Sequence, residues 1–180
     1  MIGSRPLTDA EVVAVSDFLR PRDRAIFLLG IRTGFRISEI LSLRRSDVQR
    51  LNGDIVTRVS VERKNMKGKI SGRTVVLHES ARLTLGIWCL NPSCPQDGPL
   101  FPITRIQAWR VLTAAYDKAG LQGKLGTHCL RKTFANKVYT SLGHDLPKTQ
   151  KALGHSNINS TVSYLSFADS DVDNAILGVS

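Results

Sequence analysis

The hydrophobic period of this chain changes in one place only, and that limits the architectures open to it. Before about Asp54 and after about Glu79 the apolar residues recur at helical intervals. In between, Ile55, Thr57, Val59 and Val61 alternate with their neighbours, as in a half-exposed strand. A Gly- and Lys-rich loop from Lys64 to Gly72 leads to a second strand at Arg73 to Leu77. One hairpin in an otherwise helical chain predicts a mainly α domain with a small antiparallel β-sheet, an α+β arrangement.

The helix ends carry their own signals. Thr8 and Glu11 have the spacing of a capping box, with Leu7 and Val12 as its hydrophobic staple. Pro21 starts a second helix whose run from Ala25 to Ile31 is apolar nearly all round, as expected of a buried helix. Gly34 suits the left-handed residue that closes it, and a further helix is predicted over 37–43. Later helices are predicted at 79–90 and 104–119, the second capped by Thr104 and Gln107 and stopped by Gly120. The next carries Leu130, Phe134, Val138 and Leu142 up to Gly143, and a short one spans 146–153 with Asp145 as its cap. The tail ends in a weak amphipathic stretch, 172–177. No repeat or interdomain linker interrupts the chain, so residues 1–6 read as a leader or linker remnant and 7–180 as one domain.

Charge narrows the partner. The chain of 180 residues has 25 Lys and Arg against 15 Asp and Glu, a formal charge of +10 spread along its length. A folded domain with that balance favours a polyanion, most often nucleic acid. No apolar run approaches the roughly 20 residues that span a bilayer, and the first residues lack a signal-peptide core. A cytoplasmic chain with no membrane partner is expected. Three cysteines give no disulfide logic, and Cys89 and Cys94 lack a second pair at zinc spacing, so no metal is expected.

Six residues then stand out. His128 and Arg131 share a helix face, three apart. Arg131 flanks the stripe through Leu130 and Phe134, so it is expected to be partly buried. No carboxylate lies at i±3 or i±4 to balance it, which favours a ligand phosphate or a distant acid. Arg36 follows a Gly-Phe turn at a predicted helix start, where free N–H groups also favour an anion; read alone, it is a surface arginine paired with Glu39. His155 follows Leu153-Gly154 and could be a simple helix cap. Tyr164, nine residues on, could be ordinary core. Lys64 lies at the end of the first strand, on a hairpin with Lys67 and Lys69. Together these supply a nucleophile, two anion clamps, two imidazoles and a cation, which is what metal-free cleavage of a phosphodiester requires.

In this order and spacing the set resembles the tyrosine recombinases, also called the phage integrase family. The matching stretches are Thr33-Gly34-Phe35-Arg36-Ile37-Ser38-Glu39 with Leu41 and Leu43, then His128-Cys129-Leu130-Arg131-Lys132-Thr133-Phe134-Ala135, then Leu153-Gly154-His155 through Thr161 and on to Tyr164. They cover nearly the whole chain, from about Leu7 to Phe167.

The resemblance implies a recombinase catalytic-domain fold for 7–180 and a site-specific recombinase or integrase that cuts and rejoins DNA through a 3′-phosphotyrosine. Tyr164 would be the nucleophile, Arg36 and Arg131 the clamps on the non-bridging oxygens, and His155 a further donor to them. His128 would assist proton removal from Tyr164. Lys64 would protonate the departing 5′-oxygen, with Lys67 close enough to take that role instead. Lys67, Lys69, Arg73 and Lys132 are expected to contact DNA. The implied partners are double-stranded DNA, a homo-tetramer on that DNA and a DNA-bending accessory protein, in a bacterial or phage-encoded setting near the nucleoid, with no cofactor. Many family members carry an N-terminal DNA-clamping domain, and here only Met1 to Pro6 precede the catalytic region. The chain is therefore a fragment or one of the short recombinases. A non-catalytic DNA-binding regulator would not need Tyr164. A type IB topoisomerase-like enzyme shares the chemistry, but the spacing from His155 to Tyr164 favours the recombinase.

Overall fold

Helix α2 (Pro21–Thr33) runs through the core. The computed structural model describes residues 4–62, 72–165 and 176–177. Pro21 starts α2, where its missing N–H costs nothing, and Gly34 closes it with φ 64°. Every side chain from Ala25 to Ile31 is buried, as a helix apolar on all sides requires. Around it lie α1 (Asp9–Asp17), α3 (Ile37–Leu41), α4 (Arg45–Val48), α5 (Glu79–Leu90), α6 (Arg105–Lys118), α7 (Thr127–Ser141), α8 (Leu146–Leu153) and α9 (Ile158–Val162). The Thr8–Glu11 and Thr104–Gln107 capping boxes both form.

One face of α2 packs on α5 and another on α7. On the first side Ile26, Leu29, Phe35, Ile40, Leu85 and Trp88 close a core that includes Val59 and Val61 of the hairpin. On the second, Phe27 and Ile31 meet Val12, Leu112, Tyr116 and Leu130. A smaller cluster of Phe134, Ala135, Leu153 and Leu165 ties α8 and the segment after α9 to α7. α7 thereby reaches from the main core to the C-terminal elements. Among the described residues no helix is long and apolar enough to cross a membrane, and all three cysteines are free and buried.

The two strands, β1 (Arg58–Val61) and β2 (Arg73–Val76), are antiparallel. β1 is shorter than the alternation suggests, because Ile55 forms only an isolated bridge with Gln49 after the Asn52-Gly53 turn. The register pairs Val59 with Val75 and Val61 with Arg73. Directly opposed residues share a sheet face, so Arg73 falls on the buried one. α3 stops at Leu41, not Leu43, and α4 is an added turn held by an Arg44–Asp47 box. The apolar stripe of α7 fades along the helix: Leu130 and Phe134 are buried, but Leu142 at its end is exposed. Of the amphipathic tail only Ile176 and Leu177 are described, both exposed.

Candidate active site

The C-termini of three helices and the N-termini of two meet at one cleft and bring the candidate residues together. The end of α2 turns through Gly34 into Arg36, the N-cap of α3. The end of α8 turns through Gly154, φ 62°, into His155. The first turn of α7 carries His128 and Arg131, and α9 leads to Tyr164.

Arg131 is the centre of the arrangement. It is 2% exposed. Its Nη1 donates to the Gly34 carbonyl and its Nη2 to the Leu153 carbonyl, the latter at 2.9 Å. These are free carbonyls at the negative ends of α2 and α8, a favourable place for a cation. The acid that the local sequence lacks is replaced by two backbone dipoles. Nη2 also lies 2.7 Å from His155 Nε2. A guanidinium only donates, so Nε2 accepts and the His155 proton sits on Nδ1, 2.9 Å from the buried Thr161 hydroxyl. Arg131 Nε is buried with no hydrogen-bond partner among the described residues. Burial, then the charge of Arg36, push the Arg131 guanidinium down to about 10, so it remains a cation at neutral pH. A desolvated cation with a spare N–H is prepared for an anion.

Arg36 is aimed by Glu39. The Glu39 carboxylate, 1% exposed, accepts the Arg36 backbone N–H at 2.8 Å and Nη1 at 3.0 Å. One buried acid thus fixes both ends of the arginine and leaves its other guanidinium nitrogens to the cleft. The surface pair and the anion clamp are therefore compatible readings. Arg36, His128 and Arg131 line one small cleft together with Arg105, the first residue of α6. It opens beside a larger cavity of about 620 Å³ floored by Ile37, Ile106 and Trp109. His128 is exposed at this edge.

Tyr164 lies against the same pair from the other side. Its ring centroid is 5.4 Å from that of His155 and 5.4 Å from Arg131 Cζ. The side chain of Asn136 on α7 donates to its backbone carbonyl at 3.2 Å, which anchors the turn. Arg36, His128, Arg131, His155 and Tyr164 are thus brought together within one chain. Lys64, Lys67 and Lys69 lie outside the described residues. Lys132 is half-buried on α7, next to Arg131.

Arg73 corrects an expectation. It is not a surface contact for DNA: its residue is 9% exposed and its Nη2 is spent on the carbonyls of Thr33 and Ala152. The cause is the strand register, which turns it inward beside Val61. Sequence reasoning also left out Arg105, Glu39 as a positioning acid, and Thr161. The only local signal for Arg105 was a basic residue directly after a helix cap.

Comparison with known proteins identifies the family. The model of the phage integrase family matches residues 5–170. The chain is 33% identical over 151 residues to the probable integrase/recombinase YoeC of Bacillus subtilis, covering 80% of this chain and 77% of that protein. It is 31% identical over 163 residues to the tyrosine recombinase XerD of Corynebacterium glutamicum, covering 86% of this chain but 52% of XerD. The crystal structure of the XerH site-specific recombinase bound to a palindromic difH substrate, a post-cleavage complex, superposes with TM-score 0.75 at 25% identity, over 95% of this chain and 51% of XerH. The chain belongs to the phage integrase family, the tyrosine recombinases, and has the fold of their catalytic domains. It spans about three-quarters of YoeC and about half of XerD and XerH.

Proposed function

We propose that this domain is the catalytic part of a site-specific DNA recombinase that breaks and rejoins double-stranded DNA through a 3′-phosphotyrosine. The observation that carries the reading is the position of Tyr164 against Arg131 and His155 of its own chain, with Arg36 lining the same cleft. A phosphate seated there would meet Arg36 and Arg131 through its non-bridging oxygens. Two planar multi-donor cations suit that contact better than point charges. Displacing the Arg131–His155 contact would turn Arg131 onto the phosphate, and His155 would donate to it once Nε2, the acceptor in the resting contact, takes up a proton.

Tyr164 Oη attacks phosphorus, its proton passing toward His128, and the 5′-oxygen leaves with a proton from Lys64 or Lys67. The phosphodiester becomes a phosphotyrosyl ester of similar energy, so the reverse attack by a 5′-hydroxyl rejoins the strand. Positioning and charge stabilisation supply most of the acceleration in such transfers. The charge of +10 supports a DNA partner, as does the DNA-bound state of the XerH relative. Lys67, Lys69, Lys132 and Arg105 are the DNA contacts we propose. The working assembly in this reading is a tetramer on DNA in the cytoplasm, with a DNA-bending accessory protein.

The test is incubation with a nicked site whose cleaved fragment diffuses away. A covalent adduct is expected from the native protein and none from Tyr164→Phe, with DNA binding retained. Undiminished adduct in that variant would remove Tyr164 as nucleophile. Binding with no adduct would favour a regulator, and relaxed supercoils without exchanged strands a topoisomerase.

A further inference from the structure

Arg73 sits behind the cleft and bonds to the same two chain turns as Arg131. Arg131 reaches the carbonyls of Gly34 and Leu153. Arg73 reaches those of Thr33 and Ala152, one residue earlier on each turn. Two guanidinium groups therefore span the gap between the ends of α2 and α8 as neighbouring rungs. Beyond these rungs the chain runs into Arg36 on one side and His155 on the other.

Arg73 is also held from its flanks. Its Cζ is 5.1 Å from the Phe35 ring centroid and 5.7 Å from that of Phe134. A Cβ built on Gly154 would stand 3.1 Å from Arg73 Cδ, so the turn before His155 rests on its side chain. Nη1 is buried with no partner among the described residues. Such an arrangement keeps in the core a cation held by backbone carbonyls with no carboxylate bonded to it among the described residues, a cost that an apolar side chain at that position would avoid. Burial and the nearby Arg131 push the group down to about 9, which leaves it charged at neutral pH.

We propose that Arg73 is a positioning residue that sets the separation of Arg36 and His155, so that Arg131 is free to turn its donors onto the scissile phosphate. The division of labour follows from geometry. Arg131 holds two backbone carbonyls as well, but it also lines the cleft and touches His155, a contact it exchanges for a phosphate, whereas both Arg73 bonds go to backbone carbonyls. One rung changes partners during the reaction and the other holds the frame. Arg73 also begins β2, so it fastens the β1–β2 pair to the ends of α2 and α8. The proposal rests on the recombinase reading for its catalytic consequence, but not for its structural one.

The experiment uses Arg73→Lys, which keeps the charge but cannot fork between two carbonyls, and Arg73→Met, which keeps the stem. Three quantities are read: DNA affinity, the cleavage rate on a saturated nicked site, and the ¹⁵N signals of the His155 ring in the DNA-free protein. Affinity should stay within about twofold, while cleavage falls by roughly 10²-fold, the scale of an ångström-sized misplacement. The loss should be smaller on a methylphosphonate site, whose neutral phosphorus depends less on the clamp. The His155 ring signals should move in both variants. Equal loss on both substrates with unmoved His155 signals would overturn the proposal, as would native cleavage rates. Failure of both variants to fold would also overturn it, leaving Arg73 a purely structural arginine. If the native protein forms no adduct at all, the recombinase reading fails, and the His155 signals alone decide whether Arg73 positions that ring.

Discussion

Arg131 donates to His155 Nε2 at 2.7 Å, and this single contact defines the resting state of the cleft. It commits the imidazole to its Nδ1–H form, which the Thr161 hydroxyl then receives at 2.9 Å. The chain of donors runs from a buried cation through a ring to a buried hydroxyl. Removing its last member is therefore a test of the whole. Thr161→Val keeps the shape but leaves a buried N–H unsatisfied, for a loss of about 1–3 kcal/mol. Thr161→Ser should be nearly silent. Urea denaturation of the two variants checks this, and equal stabilities would contradict the His155–Thr161 hydrogen bond.

The general acid is separable from the clamp by chemistry. Lys64→Ala should slow cleavage of ordinary DNA by roughly 10²–10⁴-fold. A substrate with sulfur at the bridging 5′ position has a leaving group that needs no proton, so it should restore the rate. It should not restore Arg36→Ala or Arg131→Ala, whose proposed role is on the non-bridging oxygens. Rescue of Lys67→Ala instead would move the role three residues along.

A pH-dependent contribution to stability is expected at the N-terminal edge. Arg5 Nη2 meets Glu11 Oε1 at 2.6 Å, and this bond, aided by the Thr8 N–H, holds the Glu11 carboxyl down at about 2. A depressed carboxyl stabilises the fold fully above its unfolded value of 4.5 and loses that contribution as pH falls toward 2. The whole shift would correspond to about 3 kcal/mol. With 35% of the Arg5 side chain in water, ~1 kcal/mol is the better expectation. Glu11→Gln should thus be less stable by that amount at pH 7 and indistinguishable from native near pH 2. A constant difference across that window would contradict the pairing.

DNA affinity should depend steeply on salt. If about six phosphates are contacted, it should drop by roughly 10³-fold between 50 and 200 mM salt. A flat titration would contradict an electrostatic interface. Arg105→Ala should lower the slope by about one contact, because the residue stands at the cleft edge and its side chain is exposed.

Much of the fold was legible because the long helices state their own limits. The boundaries of α2 and α8 and the start of α6 follow from Pro21, the Thr104 cap, the Asp145 cap and the glycines at 34 and 154. The short helices were not legible. α9 is built from Ile158-Asn159-Ser160-Thr161-Val162, residues of poor helix propensity, and depends on the Asn157 cap and tertiary packing. At the site, residue types and spacing pointed to five residues that the fold brings together, but not to what neutralises them. The partners of Arg131 are carbonyls 97 and 22 residues away, and no search along its own helix could find them. Arg73 was misplaced for a related reason. An arginine opening a strand reads as outward, and only the pairing with Val61 shows that it faces the core.

In the proposed reaction Tyr164, and no other tyrosine, takes the 3′-phosphate. The chain has three tyrosines. Tyr116 is 1% exposed, its phenol raised well above the usual range by burial. Tyr139 is stacked edge-on against His144 at 5.0 Å. Tyr164 alone adjoins Arg131 and His155. The direct measurement is to trap the covalent adduct on a nicked site, digest protein and DNA, and sequence the nucleotide-bearing peptide by mass spectrometry. The account predicts the 3′-nucleotide on Tyr164, in the peptide that follows Lys151. A nucleotide on Tyr139, Tyr116 or a serine would contradict it.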